Sequence, residues 1–239
     1  MPSKNYRRGY PVAILVGVEE TCAVLWQIFS HVAKPQRTIP LAGSRKDQKA
    51  TYNFHEAIIN ALRPTFKEGV RSIIIASPPK TSFGQELQSH IESHHSWLVQ
   101  GQNRASISHI NGSAATPPQV AALASSPVFK QLIEENAEQE TENLLEILEK
   151  RLGEAGNLVL FSLDEAENLI LSGSQPKIQP EYLLLTDVYL QISRQKGRLQ
   201  RLMQIAKNKQ VKTRVINAKS NAGARLTQLG GIVCLAKPF

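Results

Sequence analysis

The sequence predicts an α/β protein made of two α/β domains: a first with a mixed sheet that opens on a β-meander, and a second in which strands and helices alternate as a βαβαβαβ sandwich. Three observations carry this reading. Short apolar, β-branched runs recur along the chain. Between them lie segments whose apolar residues are spaced three and four apart. A long, acid-rich helical segment beginning at residue 127 separates one such series from the next. The 239 residues suit one large domain or two ordinary ones, and 41% apolar content is enough for packed cores.

The elements follow in order. YPVAILVGVEETCAVLWQIFSHVAKPQRTIP (residues 10–40) reads as the meander: Val12 to Val16 is a strand, Gly17 to Glu20 a turn, Cys22 to Phe29 a second strand, and a third ends at Pro40. RTIPLAGSRKDQKAT (residues 37–51) then reads as a basic loop. Phe54, Ile58, Ile59 and Leu62 share one helical face, and Pro64 stops or bends that helix. VRSIIIASPPK reads as a strand buried on both faces. TSFGQELQSHIESHHS is a helix with Phe83, Leu87 and Ile91 four apart, RASISHI a strand, and Pro117-Pro118 opens a short helix at QVAALAS. SPVFKQLIEENAEQETENLLEILEKRLGEAG is a long helix stopped by Gly153, with its glutamates on the wet side. After it come NLVLFS and LDEAENLILSG, EYLLLTD and a single helix VYLQISRQKGRLQRLMQIAKNKQ, VKTRVIN and NAGARLTQLGG, and a last strand IVCLAKPF. The resulting division is a tail at 1–9, a first domain at 10–126 and a second at 127–239.

Composition narrows the function. Net charge is +8 and pI about 9.6, with 13 basic and 7 acidic residues up to residue 126. A basic first half makes a polyanion a candidate partner, because each neutralised phosphate releases counterions. No apolar run is long enough to span a bilayer and MPSKNYRRGY lacks a signal-peptide core, so a cytoplasmic protein with no membrane partner is expected. Cys22 and Cys234 lie far apart in apolar runs and read as buried hydrophobes. No Walker loop, GxGxxG fingerprint or Gly-x-Ser-x-Gly elbow occurs, and no cofactor is expected. His90 and His94 share a predicted helical face near His95 and His109, but no Cys or Asp stands beside them at ligand spacing. His55-Glu56 lacks the second histidine of a zincin, and no metal site is expected.

Four landmarks stand in order: Ile39-Pro40 leading into the basic loop to Lys49, the strand and turn IIIASPP at Ile73 to Pro79, LLLTD at Leu183 to Asp187, and the closing LTQLGGIVCLAKPF. On these the chain resembles the central and C-terminal domains of Pelota and of the related archaeal and eukaryotic class-one release factors. The resemblance runs from about residue 10 to the end. It implies a translation factor whose central domain enters the ribosome and points a loop towards the peptidyl-transferase centre. Its C-terminal domain would dock a translational GTPase and, later, a recycling ATPase. Release factors carry Gly-Gly-Gln in that loop; this chain has Lys46-Asp47-Gln48, of which only Gln48 matches. Without the glycines the backbone loses the conformations and close approach that peptidyl-tRNA hydrolysis uses, which puts the chain on the Pelota side. Pelota's turn carries Gly and Phe where this chain has Pro79 and Lys80. At most nine residues, Arg7 and Arg8 among them, precede the central landmarks. That is too few for the family's N-terminal decoding domain, so a separate decoding polypeptide or a different mode of ribosome binding is expected.

The sites expected from this are an RNA- or ribosome-binding set, Lys34, Arg37, Arg45, Lys46, Gln48 and Lys49, and a second basic surface, Arg194, Lys196, Arg198, Arg201, Lys207 and Lys209, in a stretch that contains no acid. No catalytic residue is expected. Two enzymatic alternatives stand beside this reading: peptidyl-tRNA hydrolysis with Gln48 placing water, and metal-dependent RNA cleavage by Glu19, Glu20 or Asp47.

Overall fold

A computed structural model describes residues 11–29, 32–101, 104–154, 158–172 and 178–238. The N-terminal tail with Arg7 and Arg8 lies outside these. The chain divides into two units, one of residues 1–64 and 70–140, the other of 65–69 and 141–239.

In the first unit, β1 (Pro11–Val18), β2 (Cys22–Phe29) and β3 (Ala33–Pro40) form the antiparallel meander. β4 (Ser72–Ser77) joins β1 in parallel and β5 (Ser106–Asn111) joins β4 in parallel, for an order β3-β2-β1-β4-β5. All six residues of β4 are buried, as expected of a strand covered on both faces. Alternation sorts the side chains. Ala13, Leu15, Val24, Trp26, Ile28, Ile74 and Ala76 face a layer that includes Val120 of α4 (Pro117–Ser125) and Phe129 of α5 (Pro127–Gly153). On the opposite face, Gly84 of α2 (Phe83–His94) lies against Ile75. α1 (Gln48–Lys67) buries Phe54, Ile58, Ile59 and Leu62, and a one-turn α3 (Ser96–Val99) follows α2. Gly17 of β1 allows a close approach: a Cβ there would sit 2.7–2.9 Å from Ala114, whose carbonyl accepts a 2.7 Å hydrogen bond from Trp26 Nε1.

Two expectations are corrected here. α1 begins at Gln48, inside the stretch read as loop, and runs through Pro64 to Lys67. Burial of Phe66 in the last turn offsets the hydrogen bond that the proline removes. On α5, Glu140 is not on the wet side but buried, and so is Asn136, whose Oδ1 accepts hydrogen bonds from Ser106 (2.7 Å) and Ser108 (2.6 Å).

The second unit holds β6 (Val159–Leu160), α6 (Leu163–Ser172), β7 (Ile178–Thr186), α7 (Asp187–Ile192), α8 (Lys196–Asn208), β8 (Lys212–Ile216), α9 (Asn221–Gln228) and β9 (Ile232–Pro238). The sheet order is β6-β9-β7-β8, with β7 and β8 parallel and β9 antiparallel to both β6 and β7. Leu183 and Leu185 face α6 and α8 through Leu169, Ile170, Leu199 and Leu202. Tyr182 and Leu184 face α9 and the end of α5 through Leu226, Leu144 and Leu148. Each sheet is thus covered on both sides, in two α/β units with mixed sheets.

The helix expected over residues 188–210 is two helices. Ser193 takes ψ 126, which no helix continues through. Gly230 (φ +100) and Gly231 (φ +81) end α9 by donating to Thr227 O (3.1 Å) and Leu226 O (2.8 Å), a pairing of left-handed residues with orphan carbonyls. Among the described residues no helix is long and apolar enough to cross a membrane.

Candidate nucleic-acid interface

The basic loop is a short, internally bonded turn at the carboxyl end of β1, the edge at which open α/β sheets place their ligands. Leu41 N donates to Thr21 O (2.8 Å), and Asp47 N closes a turn on Ser44 O (2.9 Å) while Lys46 N donates to Ser44 Oγ (3.2 Å). Asp47 then caps α1: its Oδ1 accepts from Lys49 N (2.9 Å) and its carbonyl from Thr51 N (3.0 Å). Its charge also suits the positive end of the helix. Gln48 is therefore the first helical residue, exposed on the first turn of α1.

Arg45 is corrected: it does not belong to the exposed set. Its side chain is only 8% exposed. Nε donates to Glu20 O (3.0 Å) and Nη2 to Glu19 O, so one guanidinium bridges the carbonyls of the β1–β2 turn. The guanidinium stacks over Phe83 at 3.9 Å and lies 5.3 Å from the Phe54 ring centre. Nη1 is buried 3.7 Å from Glu86, an ionic contact too long for a hydrogen bond. Burial pulls the guanidinium's pKa below its ordinary value, while Glu86 and Glu20 pull the other way. The residue fastens the loop to the protein.

Lys46, Gln48, Lys49 and Arg37 are exposed and Lys34 is half-buried. The four cations have no side-chain partner among the described residues. Positions 34 and 37 of a regular strand point to opposite faces. Here β3 carries a bulge: Lys34 pairs with Gln27 and Arg37 with Leu25, and Gln36 is the extra residue. Gln27 and Leu25 share a face, so Lys34 and Arg37 do too.

In the second basic stretch, the counter-charges come from elsewhere in the chain. Arg198 pairs with Asp164 and Glu167 of α6, Lys207 with Glu68 at 3.2 Å, and Lys209 Nζ donates to Leu171 O at 2.8 Å. These three members of the second basic surface therefore have partners within the protein, though Lys207 stays 57% and Arg198 36% exposed. Arg194, Lys196 and Arg201 remain exposed with no partner among the described residues.

The carboxylates weighed for RNA cleavage do not converge. Glu19 accepts from Ala114 N (3.1 Å) and Ser113 Oγ (3.3 Å), and Asp47 is the cap of α1. A cluster that spacing did not reveal lies further along α1. Glu56 Oε1 is 2.8 Å from His95 Nε2 and 3.1 Å from His90 Nε2. Burial alone would raise the Glu56 pKa, but the hydrogen bonds with His95 and His90 outweigh it and hold it below the ordinary value. Burial lowers that of His90. Burial, reinforced by the neighbouring His90, pushes His55 down to about 4.

No family model matches the chain, and no curated protein matches it in sequence. Solved structures do. Archaeal Pelota, from a model of ribosome-bound archaeal Pelota and ABCE1, aligns with a TM-score of 0.56 at 15% identity, over 98% of this chain and 64% of that one. Dom34 of S. cerevisiae, described as a translation termination-like factor involved in RNA quality control pathways and interacting with Hbs1, aligns with a TM-score of 0.50 at 19% identity, over 98% and 65%. The chain spans a little under two thirds of the length of each. It has a Pelota-like fold, with the central and C-terminal domains that its landmarks resemble.

Proposed function

We propose that the chain is a Pelota-like translation factor that binds cytoplasmic ribosomes without catalysing a reaction, in ribosome rescue and mRNA surveillance or in hibernation. The observation that carries this reading is the coincidence of a Pelota-like fold with a rigidly anchored turn whose neighbouring cations, Lys34, Arg37, Lys46 and Lys49, are unpaired among the described residues. Those four would contact rRNA or tRNA phosphates. Arg194, Lys196 and Arg201 of the second unit would face a protein partner. The neighbours' ribosome, ABCE1 and Hbs1 associations make a translational GTPase and a recycling ATPase the partners to test. Gln48, held on the first turn of a capped helix, lacks the glycine-flanked freedom that release chemistry uses.

The test is co-sedimentation with ribosomes across a salt series, comparing wild type with Lys34, Arg37, Lys46 and Lys49 all changed to Ala. Weaker binding is expected, with the slope of log K against log salt shallower by about 0.7–0.9 for each phosphate that the variant no longer neutralises. Salt-insensitive binding, unchanged in the variant, would leave a protein-only docking role and end this reading.

A further inference from the structure

We propose that Glu56, His90 and His95 form a binding site for a divalent transition metal of the zinc class. Glu56 comes from α1, His90 from the last turns of α2, and His95 from the junction of α2 and α3. Their ligand atoms, one carboxylate oxygen and two imidazole nitrogens, all lie within 4.8 Å of one another. A tetrahedral zinc ion with bonds of about 2.0–2.1 Å holds its ligand atoms about 3.3 Å apart. The 2.8 and 3.1 Å separations from Glu56 Oε1 are within about half an ångström of that, and the set, which spans up to 4.8 Å, would contract by up to about 1.5 Å around a bound ion.

Ligand chemistry agrees with geometry. Imidazole and carboxylate together suit zinc and its neighbours rather than magnesium or calcium, which take oxygen alone. Both histidines are buried, at 8% and 6% exposure, while the Glu56 side chain is 28% exposed, so the site is walled by protein and open through the carboxylate. The His90 ring is packed by Tyr52 at 5.0 Å, His55 at 5.1 Å and His94 at 4.8 Å, which limits how far it can swing away. Three protein ligands leave a fourth position for water. The bound ion would tie α1, whose first turn carries Lys49, to the end of α2.

This inference does not depend on ribosome binding, and its test uses none. The purified chain, stripped with a chelator, is titrated with Zn²⁺ by calorimetry and with Co²⁺ by visible absorption. Saturable 1:1 binding is expected, with a cobalt d–d band that His95→Ala abolishes. His90→Ala, His95→Ala and the near-isosteric Glu56→Gln should each weaken zinc by at least about tenfold, since even the loss of a group that only orients a ligand costs about that much. His109→Ala, outside the cluster, should bind as wild type does. Glu56→Gln keeps the packing, so it decides the matter even where a histidine variant folds poorly. Absence of stoichiometric binding at micromolar Zn²⁺, or Glu56→Gln and His95→Ala variants that bind like wild type, would overturn the proposal.

Discussion

Changing Arg45 to alanine separates fastening from the proposed RNA binding, because the guanidinium's contacts are with the protein itself. The variant loses two hydrogen bonds from a charged donor to the carbonyls of Glu19 and Glu20, each worth about 1.5 kcal/mol or more. It loses the stacking over Phe83, worth about 0.5–2 kcal/mol. The interaction with Glu86, whose side chain is 41% exposed, adds little. Alanine also relieves the burial of a charge, and water can reach the exposed Glu20, so part of this sum is returned. The net loss is about 2–4 kcal/mol, or roughly 4–16 °C in Tm at 2–4 °C per kcal/mol. Urea unfolding followed by the fluorescence of Trp26 and Trp97, both in the first unit, reads it directly. Arg45→Lys keeps the charge but not the planar fork, and should recover less than half. On ribosomes below its melting point, Arg45→Ala should keep the wild-type salt slope, while the Lys46→Ala, Lys49→Ala pair should flatten the slope and leave stability within about 0.5 kcal/mol. An Arg45→Ala variant as stable as wild type, with its salt slope shallower by about one neutralised phosphate, would refute the reasoning.

Other outcomes follow from the same geometry. Asp47→Ala should destabilise the start of α1 by about 1 kcal/mol, seen as faster amide exchange over Gln48–Thr51, whereas Gln48→Ala should leave any peptide release on ribosomal complexes unchanged. Lys80 (φ +66) is the third residue of the Pro78–Thr81 turn, closed by Thr81 N to Pro78 O, where a type II turn favours glycine; Lys80→Gly should raise stability by about 0.5–1 kcal/mol in thermal unfolding. Burial would raise the Glu181 pKa, but Arg151 and Lys212 outweigh it and hold it below the ordinary value. Its contribution is therefore complete above the unfolded carboxylate pKa of about 4.3 and is lost as pH falls through the lower folded value. Glu181→Gln should flatten the acid limb of the stability–pH curve.

The order of strands and helices was legible because periodicity is local: the Phe54, Ile58, Leu62 spacing and the unbroken Ile73–Ile75 run each encode their own burial. The start of α1 was also encoded. Asp47 before a helical apolar pattern is a capping signal, hidden by the basic residues around it. The fate of Arg45 was not legible, since its partners are two main-chain carbonyls 25 and 26 residues away and a ring on another helix. The partners of Arg198 were not legible for the same reason: Asp164 and Glu167 belong to α6, some thirty residues earlier. Glu56 lies 34 and 39 residues from its histidines, beyond any spacing rule.

β3 lies at the border of its sheet, where an unpaired main chain invites a stray strand to add on. Pro35 contributes no donor, and the bulge at Gln36 breaks the repeat that an incoming ladder would need. The irregularity that sets Lys34 beside Arg37 also blunts this border against self-association. Restoring regular pleating by deleting Gln36 should keep Lys34 paired with Gln27 and Arg37 with Leu25, and leave the chain more prone to aggregate as it is concentrated.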